Sequence, residues 1–598
     1  MRSKTIDLDR MKSTLTGIVF GLSFLLPIGS MFSQNADWVE STLSSMTIEE
    51  KVGQLFLADL VAVYSHRESP NYLLAQEFVR KYHVGGFVLA GGTVTDIALM
   101  TNSLQRESQA PLLINGDLEG GLWFNHPYRW VRGRAPELPR YIAGGGTAFP
   151  SLMAIGATGD VRFAYEFGRI TAREARAVGI RWTNSPVADV NNNPQNPIIN
   201  TRSFGEDPAA VARMVEAYVR GLQGGGVIAT LKHFPGHGDT EEDTHIKLPV
   251  LSFNQARLDS VELVPFKAGI AAGAQAVMTA HIALSSIDSM SRPATLSRVI
   301  IMQQLRERLG FRGIVITDGM TMQGVTDHYS ADEAAVLAIE AGADVILVPA
   351  DFAQAYNGVL TAVRSGRLSE ARIDQSVRRI LAAKAWAGLD RERFVDVEKI
   401  SSEVAAPESE AVADSIFNAS ITLLRNKGEL LPLSSKSSVQ IVTVTETPDA
   451  QAGDALKASL ESHVASVGLS HLSDESCKEK IEQVMKGIRR SDILVVGIYL
   501  SVGSWKGSLR FSGQIEQFFK RVGRMRKPIV TVAFGDPYVL ARMPMTDGVL
   551  AVYTGSRKAE EAVGKALTGS IEITGKLPVT IPGTFKRGDG IELLLSHR

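Results

Sequence analysis

The stretch Val227-Ile-Ala-Thr-Leu-Lys-His-Phe-Pro-Gly-His-Gly-Asp-Thr240, with Asp243-Thr-His245 just after it, joins an apolar run to a cluster of ionisable side chains. Residues 227–231 are mostly apolar and β-branched, which is typical of a buried strand. Pro235 and the nearby glycines prevent a regular helix in the segment that follows. A strand that ends in such a loop is typical of α/β proteins, whose chemistry follows the carboxyl ends of parallel strands.

Two kinds of chemistry can use this loop, beside the alternative that it is only a solvated polar segment. In the first, His233, His237 and His245 bind a metal ion, and the first two have the i, i+4 spacing of a zinc-binding helix. Pro and Gly between them break the helix which that motif requires. In the second, a histidine performs acid/base catalysis. Asp243 is one residue away from His245, so its carboxylate can hold one ring nitrogen while the other faces a substrate.

Eight apolar runs can be counted along the first two thirds of the chain, and helix-like segments separate them. The runs are 52–60, 85–90, 111–115, 180–187, 227–231, 276–280, 313–317 and 344–348. The clearest helical segments are 161–177, 208–221 and 331–341. Alternation of apolar strands with helices predicts a parallel sheet that is covered on both faces. Eight such units predict a (β/α)8 TIM-like barrel over residues 35–390.

A second alternating region follows the barrel. A helix over 370–386 closes the first region, and a polar, acidic connector over 391–415 forms a predicted linker. The strands predicted beyond it are 439–445, 493–499, 528–534 and 549–553. This pattern predicts an αβα sandwich domain over residues 416–598. The fold class is therefore α/β, with a barrel followed by a sandwich.

Asp318 stands directly after the apolar run 314–317. A carboxylate at this position is either the N-cap of a following helix or a reactive group at the mouth of the barrel. Position alone does not decide between the two.

Several motifs together resemble the β-N-acetylglucosaminidases of glycoside hydrolase family 3. They are Lys232-His-Phe-Pro-Gly-His-Gly238 with Asp243-Thr-His245, Asp117-Leu-Glu-Gly-Gly121, Asn200-Thr-Arg-Ser-Phe-Gly-Glu-Asp-Pro208, Met278-Thr-Ala-His-Ile282 and Gly313-Ile-Val-Ile-Thr-Asp-Gly-Met320. The resemblance runs from about residue 38 to the end of the chain and implies the same two-domain fold. Gly319 departs from the family pattern, in which a second Asp is common.

The resemblance implies a role for each matching residue. Asp318 is the expected nucleophile, His245 the general acid and base, and Asp243 the group that orients His245. The expected substrate-binding residues are Asp117, Arg202, Lys232, His233 and His281. Arg202 has a structural alternative, an ion pair with Glu206 or Asp207. His281 and Asp189 are weaker candidates that can equally fill buried roles, and His237 and Asp239 are expected to shape the loop.

The implied activity is an exo-acting, retaining hydrolysis of terminal β-GlcNAc from peptidoglycan fragments or chitooligosaccharides, without a metal or another cofactor. A phosphorylase is an alternative, because a histidine acid/base tolerates an anionic phosphate nucleophile. A β-glucosidase of the same family is a second alternative. A catalytically inactive cell-wall sugar-binding protein is the distant one, and loss of Asp318 or His245 would be its signature.

Charge and composition limit the partners. The 598 residues carry 63 basic and 64 acidic side chains, a net charge of −1, so neither nucleic acid nor an anionic membrane surface is indicated. Lys12 precedes an apolar run over 15–32 that Pro27 interrupts, which predicts a signal peptide over 1–34 and a periplasmic or secreted protein. A retained membrane anchor is the alternative; the expectation is no stable membrane insertion. Cys477 is the single cysteine and forms no intramolecular disulfide.

Two aromatic segments have an open role. The insertion 123–147 carries Trp123, Phe124, Tyr128, Trp130 and Tyr141 and either lines an outer sugar subsite or packs on the surface. Trp505 either stacks on a sugar or contacts the other domain.

Overall fold

A computed structural model describes residues 28–595, apart from residue 65 and the segments 123–144, 504–505 and 507–509. The five aromatic residues of the insertion and Trp505 therefore lie outside the described residues, as does most of the predicted signal peptide. The helix Ile28–Ser45 crosses the boundary predicted at residue 34, and its side chains Val39 and Leu43 are buried against the barrel.

The first domain is the predicted barrel of eight parallel strands. Its strands are β1 (Phe56–Leu60), β2 (Gly86–Leu89), β3 (Leu113–Gly116), β4 (Trp182–Thr183), β5 (Ile228–Phe234), β7 (Ala276–Thr279), β9 (Ile314–Thr317) and β10 (Ile346–Leu347). Each pairs in parallel with its neighbours, and β10 pairs with β1. A bridge between Ile316 and Val345 joins β9 to the segment that leads into β10, so the described strands form a ring. A small pair of strands, β6 (Val250–Leu251) and β8 (Ala283–Leu284), lies beside this ring.

Helices surround the barrel. They are Ile48–Gln54, Pro70–Arg80, Val94–Glu107, Leu152–Thr158, Val161–Ala177, Pro208–Gly224, Gln255–Ser260, Leu263–Ala271, Gln323–Thr326, Ala331–Ala341, Phe352–Arg364 and Glu370–Trp386, with a π-helix over Val299–Arg308. Three of them have the predicted bounds. The helix 161–177 begins after Asp160 and the helix 370–386 after Ser369, whose side chains accept a hydrogen bond from the first turn.

Three predicted strands differ from the observed ones. The prediction of a strand from residue 52 is wrong, because Ile48–Gln54 is a helix with a capping box formed by Thr47 and Glu50. The strand predicted over 180–187 is only two residues long, and Val187 forms an isolated bridge to Lys232. In contrast, β5 runs three residues past its predicted end, so that Lys232 and His233 lie on the strand and not in the loop.

The second domain is a six-stranded sheet with a separate apolar core on each face, which is the predicted αβα sandwich. Its strands are β11 (Thr422–Asn426), β12 (Ser438–Thr445), β13 (Ser466–Ser473), β14 (Ile493–Leu500), β15 (Ile529–Gly535) and β16 (Gly548–Ala551). Its helices are Asp454–Glu461, Lys478–Ile488, Gly513–Val522 and Arg557–Leu567. The order is β11-β16-β15-β14-β12-β13, and β11 alone is antiparallel to its neighbour.

A helix over Pro407–Ser420 connects the two domains and occupies the end of the predicted linker. Its residues Ala413 and Ile416 are buried in the barrel core, whereas Phe417 is buried in the core of the sandwich. The helix therefore packs against both domains. Within the part of the chain that is described, no helix is both long and apolar enough to cross a membrane.

Candidate active site

The residues predicted to form the site follow the carboxyl ends of five barrel strands, at one mouth of the barrel. Asp117 follows β3, Arg202 lies in the long connection after β4, and Lys232 and His233 end β5. The loop after β5 carries Asp243 and His245. His281 follows β7, and Asp318 follows β9. Asp117 and Asp318, which are 201 positions apart in the chain, therefore lie at the same mouth.

Asp318 is not a helix cap. The next helix begins at Gln323, and its N-cap position is Met322. The carboxylate accepts a hydrogen bond from the backbone N–H of Gly319 at 2.7 Å. Burial on its own raises the pKa of the Asp318 carboxyl, but the neighbouring His233, His281 and His245 more than offset this and lower it to about 2. Asp318 is thus an ionised carboxylate over the whole neutral range.

Asp243 and His245 form a tight pair. The ring Nδ1 of His245 lies 2.7 Å from Oδ1 of Asp243, which also accepts the backbone N–H of His245 at 2.9 Å. Asp243 is buried, whereas the side chain of His245 is 18% exposed and reaches solvent. The loop is fastened to the segment that follows Asp318, because Gln323 and Gly324 donate their backbone N–H groups to the carbonyls of His245 and Thr244.

Two cations and two carboxylates form a second compact group. Lys232 Nζ lies 3.1 Å from Asp117 and 2.6 Å from Glu119, and Arg202 binds Glu119 with two nitrogens at 2.9 and 2.8 Å. Burial lowers the pKa of the Lys232 ammonium, but the two carboxylates more than offset this and raise it above its usual value. The expected alternative partners of Arg202, Glu206 and Asp207, lie instead near Arg587.

Glu119 is a site residue that sequence reasoning missed. It stands two positions after Asp117 in the quoted motif, and that spacing was the available signal. Its carboxylate holds Arg202 and Lys232 side by side, so it sets the spacing of two candidate sugar-binding donors.

His233 is oriented by Asp189, which had been only a weak candidate. The fully buried Asp189 carboxylate lies 2.7 Å from Nδ1 of His233 and accepts the backbone N–H groups of His233 and His237. Burial raises the pKa of Asp189, but His233 more than offsets this and keeps it below the usual value. Because Asp189 accepts a hydrogen bond from Nδ1, the other ring nitrogen of His233, Nε2, is the one that can contact a substrate.

His237 is buried and engaged at both ring nitrogens. Nδ1 lies 2.9 Å from the hydroxyl of Thr240, and Nε2 lies 3.1 Å from the hydroxyl of Thr244. Burial, assisted by the nearby His233, lowers the pKa of His237 to about 4, so this ring is neutral near pH 7. Its contacts with Thr240 and Thr244 hold the loop that carries Asp243 and His245, which favours the loop-shaping role expected for His237.

His281 also has both ring nitrogens engaged. Nδ1 lies 2.9 Å from the hydroxyl of Thr295, and Nε2 lies 3.0 Å from the carbonyl oxygen of Gly319. The residue is fully buried, and burial lowers its pKa although Asp318 opposes this. This arrangement favours the buried, supporting alternative over direct contact with a sugar.

No set of three or more His, Cys, Asp or Glu side chains arranged to hold a metal ion occurs among the described residues. The chemistry available at the mouth is that of an ionised carboxylate, a carboxylate-bound imidazole that reaches solvent, and several fixed donors and acceptors for hydroxyl groups.

Two family models cover most of the chain. The glycosyl hydrolase family 3 N-terminal domain matches residues 47–383, and the family's C-terminal domain matches residues 421–590. The chain belongs to glycosyl hydrolase family 3. It is a glycoside hydrolase by this membership, and the two matched segments correspond to the barrel and the sandwich.

A curated relative and two solved structures resemble the chain over long stretches. A beta-N-acetylglucosaminidase/beta-glucosidase of Cellulomonas fimi is 34% identical over 406 residues, which are 66% of this chain and 68% of that protein. A solved family 3 beta-N-acetylglucosaminidase from Paenibacillus sp. str. FPU-7 has 32% identity and a TM-score of 0.78, covering 90% of this chain and 99% of its own. The beta-glucoside phosphorylase BglX bound to 2FGlc has 27% identity and a TM-score of 0.80, covering 92% of this chain and 97% of its own.

Proposed function

We propose that this glycosidase is an exo-acting, retaining β-N-acetylglucosaminidase that removes terminal β-GlcNAc from peptidoglycan fragments or chitooligosaccharides. The observation that carries the proposal is the pairing of an ionised Asp318 with the Asp243–His245 dyad on a loop fastened to the same segment. The names of the Cellulomonas and Paenibacillus relatives support N-acetylglucosamine as the sugar.

In the first step, Asp318 attacks the anomeric carbon while the glycosidic bond to the leaving oxygen breaks. His245 gives its proton to that oxygen, so the aglycone leaves as a neutral alcohol. The Asp243 carboxylate stabilises the imidazolium before transfer and holds the ring in place. The product is a glycosyl ester on Asp318 and a neutral His245.

In the second step, the neutral imidazole takes a proton from water, and the water oxygen attacks the anomeric carbon. The ester bond breaks, Asp318 recovers its charge, and the sugar is released with its original configuration. His233 and His281 also lie near Asp318 and favour its ionised form, which makes it a good leaving group in this step.

The sugar is held by Asp117 as acceptor and by Arg202, Lys232 and His233 as donors to its hydroxyl groups. Glu119 binds both Lys232 and Arg202. Each cation has further N–H groups beyond those that bind Glu119, and these can donate to a sugar. These contacts hold the sugar ring next to Asp318 and accelerate the reaction by proximity.

A phosphorylase is a second candidate, because a structure with a TM-score of 0.80 to this chain is named a phosphorylase. A histidine acid/base tolerates an anionic phosphate nucleophile better than a carboxylate acid/base would. Both candidates share the first step and differ only in the acceptor.

A panel of chromogenic β-glycosides of GlcNAc, GalNAc, glucose and xylose, with and without phosphate, tests the proposal. We expect fastest release from the GlcNAc substrate, with free GlcNAc as product in both conditions. GlcNAc-1-phosphate as main product would establish the phosphorylase, and preference for glucose would establish a β-glucosidase.

We also propose that the mature protein is periplasmic or secreted. Lys12 followed by the apolar run 15–32 supports this. N-terminal sequencing of the exported protein should give a start near Asn35. An intact 15–32 segment in membrane fractions would establish an anchor instead.

A further inference from the structure

The C-terminal domain contacts the sugar-binding side of the barrel mouth through the turn that follows β15. The side-chain amide of Asn200 donates to Oδ1 of Asp536 at 3.0 Å, and the amide of Asn191 donates to the hydroxyl of Tyr538 at 2.8 Å. All four side chains are buried. The side-chain NH2 groups of two barrel asparagines therefore donate to the other domain.

These two asparagines hold the segment that carries Arg202. Asn191 accepts the backbone N–H of Asn200 at 2.9 Å on its side-chain oxygen, and its own backbone N–H donates to the carbonyl of Gly205 at 2.9 Å. Asn200 has a φ of +40°, a conformation that needs support from its surroundings. Asn191 thus ties both ends of the segment 200–205 together.

The far end of this segment is also held by the C-terminal domain. The carboxylate of Glu206 accepts the backbone N–H of Thr580 at 2.7 Å and its hydroxyl at 2.6 Å. Gly205 leaves no room for a side chain, since a Cβ there would lie 2.7 Å from the carbonyl oxygen of Pro578. The segment is therefore fixed at both ends, with Arg202 between them.

The same support reaches His233. The hydroxyl of Ser203, next to Arg202, donates to the carbonyl oxygen of Asp189 at 2.6 Å. Asp189 holds Nδ1 of His233 at 2.7 Å. A shift of the segment would therefore move two candidate sugar-binding donors together.

We propose that Asp536 and Tyr538 are positioning residues for the sugar site, acting through Asn200 and Asn191 on Arg202 and His233. The inference rests on the proposed function, since it assigns sugar binding to Arg202 and His233. Neither residue contacts the reacting atoms. Loss of either contact should therefore weaken sugar binding more than it slows the chemical step.

The test compares two tyrosine variants of the full-length enzyme. Tyr538→Phe removes the hydroxyl that binds Asn191, and Tyr553→Phe removes an equally buried hydroxyl that donates to Thr422 at 2.8 Å within the C-terminal domain. Asn200→Gly is a third variant that tolerates the positive φ but lacks the amide bound to Asp536. KM, kcat and Tm are measured for each with nitrophenyl β-GlcNAc.

We expect Tyr538→Phe and Asn200→Gly to raise KM about 5- to 20-fold with kcat changed less than about twofold, the effect of one lost hydrogen bond. Tyr553→Phe should lower Tm similarly but leave KM unchanged. Equal KM values for Tyr538→Phe and Tyr553→Phe, or a loss confined to Tm, would overturn the proposal. If the wild-type enzyme does not release GlcNAc, the proposed function fails, and the same comparison is made with the sugar of the panel that it does release.

Discussion

A single oxygen of Asp243 binds His245 twice, through the backbone N–H at 2.9 Å and the ring Nδ1 at 2.7 Å. The two residues are only two positions apart, so the turn that places the carboxylate also sets the rotation of the ring. The proposed acid/base pair is therefore assembled by local structure before any substrate binds.

His245→Ala should slow substrates with poor leaving groups far more than those with activated phenols. General acid catalysis contributes roughly 10²–10⁴-fold, and a nitrophenolate leaves almost unaided. Asp243→Ala should give a weaker form of the same dependence, because it removes only the orienting charge. A plot of log kcat/KM against leaving-group pKa measures this. Equal losses for every leaving group would show that the dyad is structural and that another group is the acid.

Asp318→Asn should reduce turnover by several orders of magnitude while sugar binding largely survives, since an amide is no nucleophile. A mechanism-based fluorinated GlcNAc donor should label the wild-type enzyme on the peptide that contains Asp318. Mass spectrometry of the digest identifies the labelled residue. A label on any other acid would disprove the assignment.

The sequence was a good guide to this site because its motifs lie at strand ends, where barrel geometry brings them together. Asp318, His245 and Lys232 could therefore be predicted to meet. The contact of Glu119 with Arg202 and Lys232 could not, because it depends on how long side chains cross the mouth. The hydrogen bonds from Asn191 and Asn200 to the second domain could not be predicted either, because contacts between domains leave no periodic pattern in the sequence of either partner.

The fold was predicted where a single physical signal dominates. The helix 161–177 has apolar periodicity and an N-cap at Asp160, and its bounds were correct. The strand β13 was missed because five of its eight residues are Ser, Gly or His, and because it lies mostly half-buried at a sheet edge. Residues 52–54 were misassigned because they run directly into the apolar segment 55–58, although Thr47 and Glu50 form a recognisable capping box for a helix.

Activity on an activated substrate should not fall with protonation of Asp318 in mildly acidic solution. The pKa of this carboxyl is lowered to about 2, so the carboxylate stays charged at pH values well below the ordinary pKa of an aspartate. With dinitrophenyl β-GlcNAc, which needs no proton donor, kcat/KM should stay level from about pH 7 to about pH 4 while the fold persists. A decline that reports an apparent pKa between about 4 and 5 would contradict the proposed environment of Asp318.

His237→Gln should reproduce the leaving-group dependence of Asp243→Ala in weaker form, with about a tenfold loss on poor leaving groups. The ring of His237 supports Thr244, which lies between Asp243 and His245. Thr244→Val removes the hydroxyl at the other end of that contact and should have the same effect. If either variant loses activity equally on all substrates, His237 stabilises the fold and does not position the Asp243–His245 pair.

Lys384 gives the last prediction, which concerns stability. It is fully buried on the helix Glu370–Trp386, where Nζ donates to Oε1 of Gln54 at 2.5 Å, and burial lowers its pKa to about 7. In the unfolded chain the pKa of a lysine is about 10.4. Between these values the unfolded state binds more protons, so this residue makes stability rise with pH from about 7 to about 10.

Lys384→Met should therefore stabilise the barrel at pH 7, by about 2 kcal/mol, and the gain should shrink as the pH rises to about 9.5. Below pH 7 both states are protonated, and the gain should be constant. Lys399→Met, at a lysine whose side chain is 71% exposed, is the matched control and should show no such trend. Denaturant unfolding of the three proteins at each pH measures the difference. A gain that is equal at both pH values would mean that Lys384 titrates normally despite its burial.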